Sequence, residues 1–221
     1  MPLFDSLTLS FGTVGTGGFG VLNSSIADYS PALQIIITVF MILSGVNYVA
    51  YFYLTTRQIK EIFHVEEIRV YFGVILAASI FIAFNIRPLY PTLEECFRHA
   101  FFQVGSIITT TGYATTDFDL WPEVSKTIIV LLMIIDPCAG STGGGIKVSR
   151  FIVMVKTMIK ELNSYIHPKS VKKIKMDDKP IEHEVVRSIN VYFITFMIIF
   201  VASVIAISFE GHDLVTNFTA I

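Results

Sequence analysis

The sequence predicts an all-α membrane protein of tandem helix, pore-loop, helix units with re-entrant half-helices. Long uncharged runs, a composition poor in charge, and glycine/threonine clusters behind apolar stretches too short to cross a bilayer carry that prediction. Of the 221 residues, 53% are hydrophobic and 15% charged. Mean hydropathy is +0.66, whereas an ordinary soluble domain carries about 25% charge.

Taken in order, residues 1–11 read as a short helix already in progress, with none of the features of a cleaved secretory signal. Residues 32–54 contain no charge, and roughly 20 such residues span a hydrocarbon core of about 30 Å as a helix. Residues 70–86 and 185–209 read as two further spans, and 123–160 as a fourth, apolar at first and then interrupted. Of 16 Lys and Arg, 13 fall in 57–69 and 147–187, which the positive-inside rule assigns to the cytoplasm. Segments 20–31, 85–122 and 210–221 then lie outside or dip in from outside. Cys96 and Cys138 are the only cysteines, too few for a disulfide framework or a cysteine metal site; both read as packing residues.

The outer section 87–122 holds a re-entrant element. Thr92 stands three residues before Glu95, the spacing of a capping box at a helix start. The apolar run 100–108 that follows is too short to cross. It ends in Thr109, Thr110, Thr111, Gly112 and Tyr113. The first helix likewise leads into Thr13, Val14, Gly15, Thr16, Gly17, Gly18 and Phe19. A shift of 94 residues superposes Thr16 on Thr110, Gly18 on Gly112 and Phe19 on Tyr113, the sign of an internal repeat. A third copy begins at Asn217, where 217–221 resembles 100–104. The unit is span, half-helix, Gly/Thr loop, span, and the sequence reads as starting and stopping inside a unit.

Irregular backbone at membrane depth is tolerated only when buried in protein or lining a water-filled cavity. Two such loops suggest a pore. Glycine permits positive φ, which lets successive carbonyls turn toward one axis, and carbonyl oxygens can replace the hydration shell of potassium. The loops follow the carboxyl ends of their helices, where partial negative charge favours cations. Gly15 to Gly20 also fits the dinucleotide pattern G-x-G-x-x-G, but that fingerprint requires a preceding strand and a helix opening on its last glycine. Close helix packing alone does not explain threonines beside the glycines in two spaced copies.

Residues Ala139, Gly140, Ser141, Thr142, Gly143, Gly144 and Gly145 are seven small residues in a row. They fail as a phosphate loop, since Ile146 separates the last glycine from Lys147 and Val148 follows. They are expected to unwind the fourth span in its inner half, either as a plain kink or as a movable gate below the filter. Lys147 and Arg150, just past the break, either mark the cytoplasmic boundary by snorkelling or raise the electrostatic barrier at the inner mouth. Residues 160–183 read as a charged cytoplasmic loop in reach of anionic lipid or a soluble partner, with His167 and His183 solvated.

The motifs TVGTGGFG, LSGVNY, TTGYATTDFDLWP and CAGSTGGGIKVSR together closely resemble the Trk/Ktr/HKT superfamily of potassium transporters, bacterial Trk type, over essentially the whole chain. The resemblance implies four tandem units in a pseudo-fourfold arrangement around one potassium path, with this chain incomplete at both ends. It assigns 1–57 to the second pore loop and inner helix, 58–160 to the third unit, 161–184 to a cytoplasmic loop, and 185–221 to an outer helix and the start of the fourth pore helix. It places the filters at Val14 to Gly18 and Thr109 to Gly112, where backbone carbonyls coordinate K+, and the intramembrane gate at Ala139 to Gly145. The family usually has glycines where this chain has Asp136 and Pro137, and a buried Asp136 needs a partner or its proton. The resemblance further implies a homodimer when full length, in a bacterial or archaeal plasma membrane. It also implies a cytoplasmic ring of nucleotide-binding regulatory subunits, for which the basic loop 151–181 is a contact.

The reading is therefore a cation-conducting subunit for potassium, with some sodium, with no bound cofactor and no nucleic acid. The rival class is a secondary transporter whose half-helix amino ends hold an anionic solute. A membrane enzyme lacks a His/Asp/Glu cluster in the spans; Glu210, His212 and Asp213 meet only at an outer edge.

Overall fold

The computed structural model describes residues 1–167, 173–211 and 214–219, and the chain divides into two units, 1–148 and 149–221. The middle of the basic loop, His212 with Asp213, and the last two residues of the third repeat lie outside the described residues.

The first unit opens with α1 (Leu3–Val14), which runs three residues past the expected end at Phe11, so that Val14 enters the site as the last helical residue. An irregular segment leads to α2 (Pro31–Ser44), which starts on proline, whose fixed φ suits a first helical turn. The span expected over 32–54 is not one helix. α2 ends at Ser44, and α3 (Tyr48–Thr55) leaves at 96° to it. Local polar groups make that break stable. The Tyr71 hydroxyl donates to Ile42 O (2.9 Å) and the Tyr51 hydroxyl to Leu43 O, which satisfies carbonyls that lost their helical partners. Asn47 caps α3 by accepting from Val49 N (2.9 Å). Gly45 is obligatory, because a Cβ there would stand 2.3 Å from the Tyr71 hydroxyl and 3.1 Å from Pro137 Cβ.

After α4 (Ile59–His64) comes α5 (Glu66–Asn85), long and apolar enough to cross a membrane. A 3-10 turn, Arg87–Leu89, leads to α6 (Leu93–Ile108), the expected re-entrant helix. Its cap is as expected at Thr92, whose hydroxyl accepts from Glu95 N (3.2 Å). α6 packs against both α5 and α2, and Gly105 lets α2 approach, with Ile42 Cγ1 3.3 Å from where a Cβ would lie. Leu9, Ile26, Ile37, Met41, Phe102 and Tyr113 form one buried cluster. Its members come from α1, α2, α6 and the segments behind both glycine loops, so the apolar core that joins the helices also fixes the loops.

The outer segment 114–121 is tied down by polar side chains. His99 Nδ1 lies 2.9 Å from Thr115 Oγ1, the Tyr90 hydroxyl 3.1 Å from Thr116 Oγ1, and Trp121 Nε1 donates to the Tyr90 hydroxyl (3.1 Å). α7 (Glu123–Leu132) is 10 residues, about 15 Å by helical rise, too short to cross alone. The unwound region therefore begins at Met133, well before the expected start at Ala139, and it includes Asp136 and Pro137. Proline has no amide to donate to a helix, so the earlier start has a local cause.

In the second unit α8 (Val148–Ile166) extends helix into the segment expected to be loop. A hairpin of β1 (Lys175–Met176) and β2 (Lys179–Pro180) follows. Its turn places Asp177 and Asp178 at φ 50° and 62°, the two positive values of a tight hairpin turn. α9 (His183–Ser208) has a mean hydropathy of 2.5 over its most apolar window, none of it buried, as suits a helix whose solvent is lipid. A ladder of Tyr192, Phe196 and Phe200 runs along it, and Phe200 meets Phe218 of α10 (Leu214–Thr219) edge to face.

Candidate ion-path site

The two glycine loops are copies in backbone detail as well as in sequence. Thr16 and Gly18 have φ 49° and 68°; Thr110 and Gly112 have φ 57° and 83°. Each helix closes in the same way. Gly15 N donates to Phe11 O and Thr109 N to Gly105 O, then Thr16 N to Thr13 O and Thr110 N to Ile107 O. Gly17 N and Gly18 N both donate to Gly12 O, at 2.9 and 3.4 Å; Thr111 N and Gly112 N both donate to Ser106 O, at 2.9 and 3.3 Å. A threonine in the left-handed region is uncommon for an L-residue, and here it occurs twice at the same register. The loop amides are consumed by the helix ends behind them.

The loops also meet. A Cβ on Gly18 would stand 1.9 Å from Thr111 O, so the first loop lies directly on the second loop's backbone. The Tyr113 hydroxyl donates to Phe19 O (3.0 Å), and Ile26 N donates to Ala114 O (3.0 Å). Thr16, Thr109 and Thr111 are buried, whereas Val14, Gly15, Gly17, Thr110 and Gly112 are exposed and Gly18 is half-buried. Nothing lies within 4 Å of a Cβ built on Gly112.

The small-residue run sits against both threonines. Thr16 Oγ1 donates to Thr142 Oγ1 (3.1 Å), and Gly144 N donates to Thr110 Oγ1 (3.4 Å). Ser141, Thr142, Gly143 and Gly144 form a tip bracketed by Gly140 at φ 68° and Gly145 at φ 70°. Below the tip the loop is stitched to itself, with Asp136 N donating to Ile146 O (3.0 Å) and Val148 N to Pro137 O (3.4 Å). Asp136 is buried with its carboxylate packed on Gly145, where a Cβ would meet Oδ2 at 1.7 Å. Lys147 turns its ammonium onto Gly143 O. Arg150, in the second unit, lies with its guanidinium carbon 4.0 Å from the centroid of the Tyr192 ring, a cation–π contact.

Two residues outside the glycine motifs join this site. Glu67, buried at 3% exposure, accepts from Ala139 N at 2.6 Å, and Asn47 Nδ2 donates to Glu67 Oε2 at 3.5 Å. Glu67 sits in the charged turn 57–69, where it reads as one more solvated acid; only its place one residue into an apolar helix distinguishes it. Asn47 belongs to the LSGVNY motif, whose break accepts the loop: Cys138 N donates to Gly45 O (3.0 Å) and Tyr48 N to Gly140 O (3.2 Å).

The profile of the TrkH cation transport protein family matches residues 89–221, which is more than half of the chain. The chain belongs to the TrkH family. It is 31% identical to the Trk system potassium uptake protein TrkH of Salmonella typhimurium, over 100% of this chain and 47% of that protein. It is 29% identical to the Trk system potassium uptake protein TrkG of Escherichia coli, over 100% of this chain and 46% of that protein. The crystal structure of the potassium transporter TrkH from Vibrio parahaemolyticus superposes with a TM-score of 0.92 at 28% identity, covering 100% of this chain and 48% of that one. The TrkH-family chain thus spans about half the length of the relatives it matches. Its class, a helical membrane protein with re-entrant half-helices, is that of the family.

Proposed function

We propose that this TrkH-family chain supplies two pore loops and the intramembrane gate of a potassium uptake path. One observation carries the reading: two loops with the same hydrogen-bond and φ pattern meet at Gly18 and Thr111, and one glycine-rich tip touches the threonine at the same register in each. Repetition of that kind is how a chain builds quasi-equivalent ligands around an axis. Carbonyls of Val14 to Gly18 and Thr109 to Gly112 replace water around K+, with some Na+ admitted. The carboxyl ends of α1 and α6 point their partial negative charge at the same place. That polarity disfavours the rival reading, an anionic solute held by helix amino ends.

Two loops enclose an ion from two sides only. Completion of the ring takes two further loops, from another stretch of the same polypeptide or from a second copy. Permeation involves no covalent chemistry and no bound cofactor, and the path lies in the plasma membrane. The basic segment 151–181, of which 168–172 lies outside the described residues, is the surface offered to cytoplasmic nucleotide-binding subunits, and the full-length protein is a homodimer.

The test is rubidium uptake by the complete gene product in cells that lack other potassium transporters. Gly112→Leu adds bulk where no atom lies within 4 Å, at a left-handed strain of about 1–2 kcal/mol; uptake normalised to the amount of protein in the membrane falls to background. Unchanged uptake would remove the filter assignment.

A further inference from the structure

Building on that reading of the gate, we propose that Glu67 is the post on which the gate loop pivots, a positioning residue for gating rather than a ligand of the ion. The loop is held very differently at its two ends. At Cys138 to Gly140 three bonds to separate elements fix the backbone: Cys138 N to Gly45 O (3.0 Å), Ala139 N to Glu67 Oε1 (2.6 Å) and Gly140 O from Tyr48 N (3.2 Å). At the tip, the contacts to the filter loops are 3.1 and 3.4 Å, the second beyond the ordinary hydrogen-bond range.

The glycines with positive φ, Gly140 and Gly145, lie at the boundary between these regions, where the chain turns with least steric resistance. The tip's ties to the filter loops are therefore the weaker set, and what else holds it comes from the loop's own residues: Lys147 on Gly143 O and Ser141 Oγ on Cys138 O (2.6 Å). Among the base contacts, only the one to Glu67 comes from a side chain. It is also charge-assisted, the stronger class of hydrogen bond. Asn47 Nδ2 approaches the same carboxylate at 3.5 Å, a looser contact, so the 2.6 Å bond to Ala139 N is what ties α5 to the loop.

Without this anchor Ala139 is released, and the weak tip contacts no longer keep the tip under the filter. The test uses the complete gene product reconstituted in vesicles without regulatory partners. Glu67→Asp keeps the charge but withdraws the carboxylate by one methylene; Glu67→Gln keeps an acceptor at full reach. Glu67→Asp and Glu67→Ala are expected to raise resting rubidium flux about tenfold, the scale of one hydrogen bond to a charged group. The half-saturating potassium concentration and the potassium-to-sodium ratio stay fixed, and Glu67→Gln, which keeps one acceptor at full reach without the charge, gives a smaller rise than Glu67→Asp.

A Thr142→Cys reporter read by a membrane-impermeant thiol reagent is expected to react faster in the Asp background. Cys96 and Cys138 are both buried in the parent; because Cys138 adjoins Ala139, the reporter is read in a Cys138→Ala background. If Glu67→Ala fails to assemble, the Asp and Gln pair decides. Parental flux and reactivity in Glu67→Asp, a change in Gln equal to that in Asp, or altered ion selectivity would each overturn the proposal. Gly112→Leu runs alongside. Normal conduction there defeats the filter reading itself, whereas a blocked Gly112→Leu beside a silent Glu67→Asp defeats only the anchor.

Discussion

Glycines with the same backbone conformation do different jobs here. Gly18 and Gly112 occupy equivalent positions with φ 68° and 83°, yet a Cβ on Gly18 would overlap Thr111 O at 1.9 Å while one on Gly112 meets nothing within 4 Å. Gly112→Ala is therefore expected to cost only the left-handed strain, about 1–2 kcal/mol. Gly18→Ala adds overpacking against backbone, for a total of about 3 kcal/mol or more. Thermal unfolding in detergent checks this, and equal midpoints for the two variants would contradict the close approach of the loops. Thr16 and Thr110 diverge similarly, one buried and one exposed, although each touches the tip of the glycine-rich loop, at Thr142 and Gly144. Asp136 is accommodated because Gly145 leaves room for its carboxylate, so an acid at 136 requires a glycine at 145.

Among the elements, the break between α2 and α3 is what receives the glycine-rich loop, through Cys138 N on Gly45 O and Tyr48 N on Gly140 O. An uninterrupted helix over 32–54 would leave Gly45 O in an intrahelical bond and unable to receive Cys138 N. Asn47 serves the break twice, as cap of α3 and as donor to Glu67. Asn47→Ala is expected to lower stability by about 1 kcal/mol, the usual worth of a cap, with a rise in resting flux of the same sense as Glu67→Asp. A stability loss without any change in flux would confine Asn47 to capping. The unwound stretch between α7 and α8 follows the same logic: Asp136 N is used within the loop, Cys138 N at the end of α2 and Ala139 N by α5, partners that irregular backbone at membrane depth requires.

For the whole molecule, the two half-helix loops among the described residues set a condition on function. Reconstituted at decreasing protein-to-lipid ratio, the 221-residue chain by itself is expected to give no flux, or flux that falls with the square of the ratio as pairs separate. Flux proportional to the ratio at high dilution would mean that two loops suffice, and the ring of four would be wrong. The exposed faces of Thr110, Gly112 and Gly17 are the surfaces that such a ring would enclose.

What the sequence determined by itself was periodic and local. The spans over α5 and α9 follow from apolar length, the start of α6 from Thr92, and the loop repeat from 94 residues of offset between two Gly/Thr clusters. Each rests on neighbours in the chain, whose chemistry is visible in one dimension. The tertiary structure alone decided that 32–54 bends by 96°, that the fourth span unwinds from Met133, and that Glu67 leaves its charged turn to hold Ala139. Those outcomes depend on where Tyr71, Pro137 and Gly45 meet, since the Tyr71 hydroxyl and the Glu67 carboxylate reach their backbone partners, Ile42 O and Ala139 N, only once packing has brought distant segments together. No pattern along the chain encodes that encounter.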